Sequence, residues 1–175
     1  MKTFKTILTA VLFLTVSNGL MAQASSDEIS ATATVLASAE VTGVSDLEFG
    51  EVTIGLPKAI LPFETGSGHF TLRTNASATI EFTFPENLIA EVGGQSRSLP
   101  ISFDGDYVRI NGQNNAGEEI FELYNPEENE TYDLTTGTFD HANEFDIYVG
   151  GSVDPAANQA AGVYSGAITL SVEFN

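Results

Sequence analysis

The longest regular pattern in the chain covers residues 28–42. There Ile29, Ala31, Ala33, Val35, Ala37, Ala39 and Val41 alternate with Glu28, Ser30, Thr32, Thr34, Leu36, Ser38, Glu40 and Thr42. A period of two puts each set on its own face of an extended strand, and only Leu36 breaks it. At about 3.3 Å per residue the stretch reaches roughly 50 Å, against about 17–20 Å for a usual strand. Such a length does not fit one straight strand. Either the segment bends and switches sheets, or its first half leaves the domain and pairs with another molecule. Its apolar face is mostly Ala, which buries little area per residue and anchors weakly.

Shorter runs of the same kind recur between clusters of Gly, Asn, Asp and Pro, whereas helical periodicity is hard to find beyond residue 25. They predict strands at 47–53, 69–74, 78–84, 98–103, 107–110, 120–124, 131–134, 144–150 and 166–174. Between them stand Gly66-Ser67-Gly68, Asn75-Ala76-Ser77, Gly93-Gly94, Asp104-Gly105-Asp106 and Asn111-Gly112, residues that accept positive φ or bond back to their own backbone. Asp-Gly and Asn-Gly are the stronger hairpin signals. About ten short strands with turns every 8 to 12 residues imply an all-β domain, an immunoglobulin-like antiparallel β-sandwich of two sheets. The last strand sets Ile168, Leu170, Val172 and Phe174 against Ala167, Thr169, Ser171 and Glu173. It reads either as an ordinary strand paired on both sides or as a template for an added strand, since an unpaired edge offers its donors and acceptors to any partner.

The beginning of the chain carries a different pattern. Lys2 and Lys5 precede an apolar run, residues 7–16, interrupted only by Thr9 and Thr15, and Ala22-Gln23-Ala24 follows. Basic, then apolar, then small is the order of a secretory signal, with the cut after Ala24 or after Ala22. The run is too short to span a bilayer, and no later stretch reaches the roughly 18 apolar residues a spanning helix requires. Residues 1–24 are thus expected to be a signal peptide and 25–175 a single sandwich domain with an extended segment at 25–38. The address is periplasm, cell surface or extracellular space.

Composition narrows the partners. The chain has 6 Lys and Arg against 24 Asp and Glu, a formal charge of −18, and no Cys. Without its first 24 residues it keeps four cations, Lys58, Arg73, Arg97 and Arg109, and all 24 acids, a net of −20. No basic surface remains to neutralise phosphates, so nucleic acid and anionic membrane are poor partners. The absence of Cys excludes disulfides, thiolate nucleophiles and Cys-based zinc sites. With 42% hydrophobic residues the chain can still bury a core.

Catalytic chemistry has little to stand on. The histidines are His69 and His141, and His141 and Glu144 would fall on opposite faces of a strand. No nucleophile elbow, phosphate-binding Gly loop or His-Glu-x-x-His occurs. His69, at a strand start after Gly66-Ser67-Gly68, is expected at the surface. Asp104, Asp106 and the cluster Glu127, Glu128, Glu130 are the best oxygen donors for Ca²⁺, but neither group completes an EF-hand loop. No catalytic residue, metal ligand or cofactor is assigned.

Gly162, with Phe174 and the alternating apolar residues between them, resembles the C-terminal signature of chaperone-usher pilins. Residues 31–36, Asp46-Leu47-Glu48-Phe49-Gly50 and Ala161-Gly162-Val163-Tyr164-Ser165-Gly166 resemble short secreted bacterial domains of unknown function akin to spore coat protein U-like proteins. The likeness covers both ends of the chain and hardly touches its middle. It implies a donor strand of Ile29, Ala31, Ala33 and Val35, and an acceptor groove lined or flanked by Gly162, Ile168, Leu170, Val172 and Phe174. It also implies self-association by strand exchange, with a periplasmic chaperone and an usher as partners. The sequence departs from many pilins in lacking the disulfide between the first strands, and Ala-rich donor residues fill deep pockets poorly. Gly162 also has a plain reading as a turn residue before the last strand.

The leading expectation is a non-enzymatic exported structural or adhesive subunit, assembled into pilus-like filaments by donor-strand exchange. The rival is a self-complete monomeric sandwich that binds a glycan or Ca²⁺. A secreted hydrolase is the weakest reading.

Overall fold

A computed structural model describes residues 33, 37–103, 105–126, 131–134, 139–140 and 144–175. The chain divides into two units, Met1–Val35 and Leu36–Asn175. Of the first, only Ala33 is described, exposed and outside any strand. The second is an antiparallel β-sandwich, as the alternation predicts.

In chain order its strands are β1 (Ala39–Ser45), β2 (Lys58–Ile60), β3 (Gly68–Thr74), β4 (Ala78–Thr83), β5 (Asn87–Val92), β6 (Gln95–Ser102), β7 (Val108–Gln113), β8 (Glu119–Tyr124), β9 (Thr131–Asp133), β10 (Glu144–Val149), β11 (Gly151–Val153) and β12 (Thr169–Phe174). One layer is a five-stranded sheet in the order β1-β3-β10-β7-β8. Two smaller sheets, β2-β11-β6-β5 and β12-β4-β9, supply the other side of the core. Leu72, Val108, Ile110, Phe145 and Ile147 project from the large sheet. They meet Ile80, Phe82, Leu99, Ile101, Val153 and Leu170 from the smaller ones, and all are buried. The period-two pattern makes this possible, because alternate residues of each strand share a face.

Of the connections that carry the chain between layers, two are tight. Asn75, Ala76 and Ser77 turn β3 into β4 at one corner. At the other end Gly150 separates β10 from β11, which belong to different sheets. A Cβ on Gly150 would lie 2.2 Å from the Ile60 carbonyl oxygen, so the crossing needs glycine.

Several elements differ from expectation. Among the described residues, the part of 28–42 that forms a strand begins at Ala39, and the strand continues to Ser45; residues 28–32 and 34–36 lie outside the described residues. The segment 47–53 is not a strand. Its alternation holds only from Leu47, packed on the core, to Phe49, buried; after Gly50, at φ 62°, the parity slips and Val52 packs on the core. However, the Glu48 N–H donates to Gly66 O (2.8 Å) and the segment joins no sheet. β5 was missed because Leu88-Ile89-Ala90 is an unalternated apolar triplet close behind Pro85. β2 and β11, three residues each, are too short to show a period.

Asn111-Gly112, expected to be a hairpin turn, lies inside β7. The Phe145 and Phe139 rings fill the space above Gly112, where a Cβ would come within 2.8 and 2.9 Å of them. The turn falls four residues later. There Asn114 Oδ1 accepts the Ala116 and Glu118 N–H groups (2.9 and 3.0 Å), and Gly117 takes φ 76°.

Candidate functional site

The two lateral edges of the sandwich differ. β8 and β9, the last strands of their sheets on one side, are joined across the layers: the Tyr132 hydroxyl donates to Glu122, and the Tyr124 and Tyr132 rings meet edge to face at 5.3 Å. Because β9 lies over β8, β12, on the far side of β4, lies toward β1. Both ends of that side meet at the β3–β4 corner. Ser38 exchanges backbone and side-chain hydrogen bonds with Asn75, while the Asn175 N–H donates to Ser77 O (3.2 Å). Among the described residues β1 pairs only with β3 and β12 only with β4, and no ladder joins β1 to β12.

That side is also poorly covered. Val41 stands opposite Leu72 and so faces inward, yet it is 38% exposed, whereas Leu72 is fully buried. Every residue of β1 is exposed. Away from the corner the gap widens into a cleft of about 1220 Å³. One wall is residues 45–54 and the other residues 159–168, with Phe70, Leu99, Ile101, Val149 and Val153 between them. Asp46-Leu47-Glu48-Phe49-Gly50 and Ala161-Gly162-Val163-Tyr164-Ser165-Gly166, more than 100 positions apart in the sequence, line the same cleft.

A family model described as a domain of unknown function (DUF4402) matches residues 28–174. The chain belongs to the DUF4402 family. No curated protein gives a significant match. The DUF4402 match begins where the alternation of 28–42 begins, so the extended segment is part of the family domain.

The sequence-predicted residues fall as follows in this DUF4402 domain. Gly162 and Ile168 line the cleft. Gly162 is held against β5, since a Cβ there would come within 2.9 Å of Val92 Cγ2, and Ser165 and Ile89 exchange backbone hydrogen bonds at 2.8 and 3.0 Å. Leu170, Val172 and Phe174 belong to β12: Leu170 is buried, Val172 packs on the core, and Phe174 is 44% exposed. Ile29, Ala31 and Val35 lie outside the described residues. The cleft wall includes 47–53, where the sequence pattern predicts a strand; the signal against a strand is Gly50 within it, with Gly55 and Pro57 just beyond.

Hydrogen-bonded and non-hydrogen-bonded pairs alternate along an antiparallel ladder. The Asn175-to-Ser77 bond therefore puts the backbone groups of Thr169, Ser171 and Glu173 toward β4. Those of Leu170, Val172 and Phe174 face the open side.

Other candidate chemistry is dispersed. His69 lies on the outer face of the large sheet, as expected, but is partnered there: Nε2 lies 2.8 Å from Asp146 Oδ1 and the ring stacks on Tyr148 at 4.5 Å. His141, Asp104, Glu127, Glu128 and Glu130 lie outside the described residues, and Asp106 is exposed. Among the described residues no three His, Asp or Glu side chains are grouped to hold a metal ion. No described helix is long and apolar enough to cross a membrane. Burial, then the hydrogen bond to Glu122, raises the Tyr132 phenol well above its ordinary value. The hydrogen bond and charge of Glu144 raise the exposed Arg73 guanidinium.

Proposed function

We propose that this DUF4402 domain is a non-enzymatic, exported structural or adhesive subunit of the cell surface, assembled by strand donation. Residues 28–36 of one copy enter the open side of the next and pair with β12. The likeness to chaperone-usher pilins and spore coat protein U-like proteins gives the finer form of this reading: a fimbrium, with a periplasmic chaperone and an usher as helpers.

The observation that supports the proposal is the outer edge of β12, which among the described residues pairs with no strand, set beside the partly exposed inner face of β1 and opening into a largely apolar cleft. An edge of this kind is a template for an added strand. Residues 28–36 would span about 30 Å extended, enough to follow the six residues of β12 and continue into the cleft. Ile29, Ala31, Ala33 and Val35 recur at the period of Leu170, Val172 and Phe174, so one face of the donor would turn inward throughout.

The test compares chains beginning at residue 25 and at residue 38 by size-exclusion chromatography and negative-stain microscopy. The longer chain is expected to form multimers, and the shorter a soluble monomer of lower melting temperature. A synthetic peptide of residues 25–37 should raise that melting temperature by binding the folded state. Multimers of the shorter chain, or a melting temperature indifferent to the peptide, would overturn the proposal.

A further inference from the structure

A second surface lies on the outer face of the five-stranded sheet. The registers place His69, Tyr148, Arg109 and Leu123 in one row across β3, β10, β7 and β8, and Thr71, Asp146, Asn111 and Phe121 in the next. These rows alternate with the buried Leu72, Ile147, Ile110 and Val108, so they face away from the core. The Arg109 guanidinium carbon sits 4.0 Å from the centre of the Phe121 ring and 4.7 Å from that of Phe63. Arg109 Nε donates to Asn111 Oδ1 at 2.8 Å. Both rings are exposed, Phe63 by 57% and Phe121 by 55%.

Phe63 is held there against its backbone preference. It is the only described non-glycine residue at positive φ, 69°. Its turn is fixed at both ends: the Glu64 N–H donates to Leu61 O (3.1 Å) and the Leu61 N–H to Glu64 Oε2 (2.8 Å). Glycine would occupy that position without strain. Core packing does not account for a ring more than half exposed, and strained residues of this kind gather at ligand sites.

We infer that this face binds a neutral oligosaccharide. Phe63 and Phe121 would stack on the C–H faces of sugar rings, while Asn111, Asp146 and Tyr148 bond the hydroxyls around them. The charge of the face argues for a neutral ligand. Its two rows hold one guanidinium and one carboxylate, Arg109 and Asp146, on a chain whose formal charge of −18 opposes polyanions. A sugar ring is amphipathic in the same sense as the face, with apolar faces and a polar rim, and binding sites of this type pair aromatic surface with a few placed polar groups. Arg109 is a positioning residue: clasped by both rings, it fixes their planes. The inference does not depend on strand donation, since the outer face is remote from the β12 edge and exists in every copy.

The experiment is calorimetry on the chain from residue 25 with cellohexaose, chitohexaose and mannohexaose, and with a heparin hexasaccharide as the anionic comparison. At least one neutral sugar is expected to bind in the millimolar range or tighter. Phe121→Ala and Phe63→Gly should each weaken it about tenfold, the loss of one ring contact. Phe63→Gly should keep or raise the melting temperature, because it removes the positive-φ strain, which separates loss of ligand from loss of fold. The inference is overturned if no neutral sugar binds, if heparin alone binds, or if both variants bind as well as the parent.

Discussion

The two sides of this sandwich are built from strands of similar kind and finished differently. On one side β8 and β9 are clamped across the layers by Tyr124, Tyr132 and Glu122. On the other, among the described residues, β1 and β12 end their sheets without pairing, and Val41, inward by register, stays 38% exposed. Aromatic side chains make the difference. A tyrosine on each sheet bridges the gap between layers, whereas Ala39, Val41 and Gly43 are too short to reach across. One edge of the sandwich is thus bridged across its layers by side chains, and the other, among the described residues, is not.

The comparison is broken most severely from the closed side. Leu134, fully buried just after β9, should cost about 2–5 kcal/mol as Leu134→Ala. Val41→Ala, on the open side, should cost about 1 kcal/mol or less, since more than a third of the residue is exposed. Urea denaturation of both variants measures the contrast, and equal losses would mean that the open side is as well packed as the closed one. In assembled material the Val41→Ala loss should grow, because the donated strand would cover that side chain.

A backbone substitution sharpens the same point. Val172→Pro removes an N–H that faces the open side and leaves the β4 ladder intact, so the monomer should melt within a few degrees of Val172→Ala. Multimers should form with Val172→Ala and be absent with Val172→Pro, as size-exclusion chromatography would show. Ser171→Pro, whose N–H points toward β4, should instead destabilise the monomer itself.

The clamp on the closed side has its own signature. Because the folded state holds the Tyr132 proton more tightly than the unfolded chain does, its contribution is complete below pH about 10 and declines as the pH rises beyond that. Tyr132→Phe should cost about 1 kcal/mol at neutral pH through the lost hydrogen bond. It should also flatten the alkaline decline in a series of thermal melts. The smallest effect belongs to the exposed Arg73–Glu144 pair, 2.8 Å apart on the outer face. Arg73→Ala should leave the melting temperature unchanged within error, because water screens such a pair.

Much of this fold is legible in one dimension because strand alternation is a local property. The β3, β4, β8 and β10 segments could be placed within a residue or two, since each carries its own inward and outward set. Alternation failed where a neighbour decided the outcome. Residues 47–49 alternate like a strand but find no sheet to join, and Gly112 is a strand residue because two phenylalanine rings need the space. Of the candidate site, β12 and Gly162 were visible as an apolar period and a spacing. The opposing wall, the cleft between, and the Phe63–Arg109–Phe121 stack were not.

What the linear chain determined by itself is the class of structure, an acidic all-β sandwich, because period, turn residues and charge are set by neighbours a few positions apart. What only the tertiary structure decided is which edges are bridged across the layers. Whether two edge strands are tied together depends on side chains tens of residues apart in the chain, and no local pattern records whether they meet.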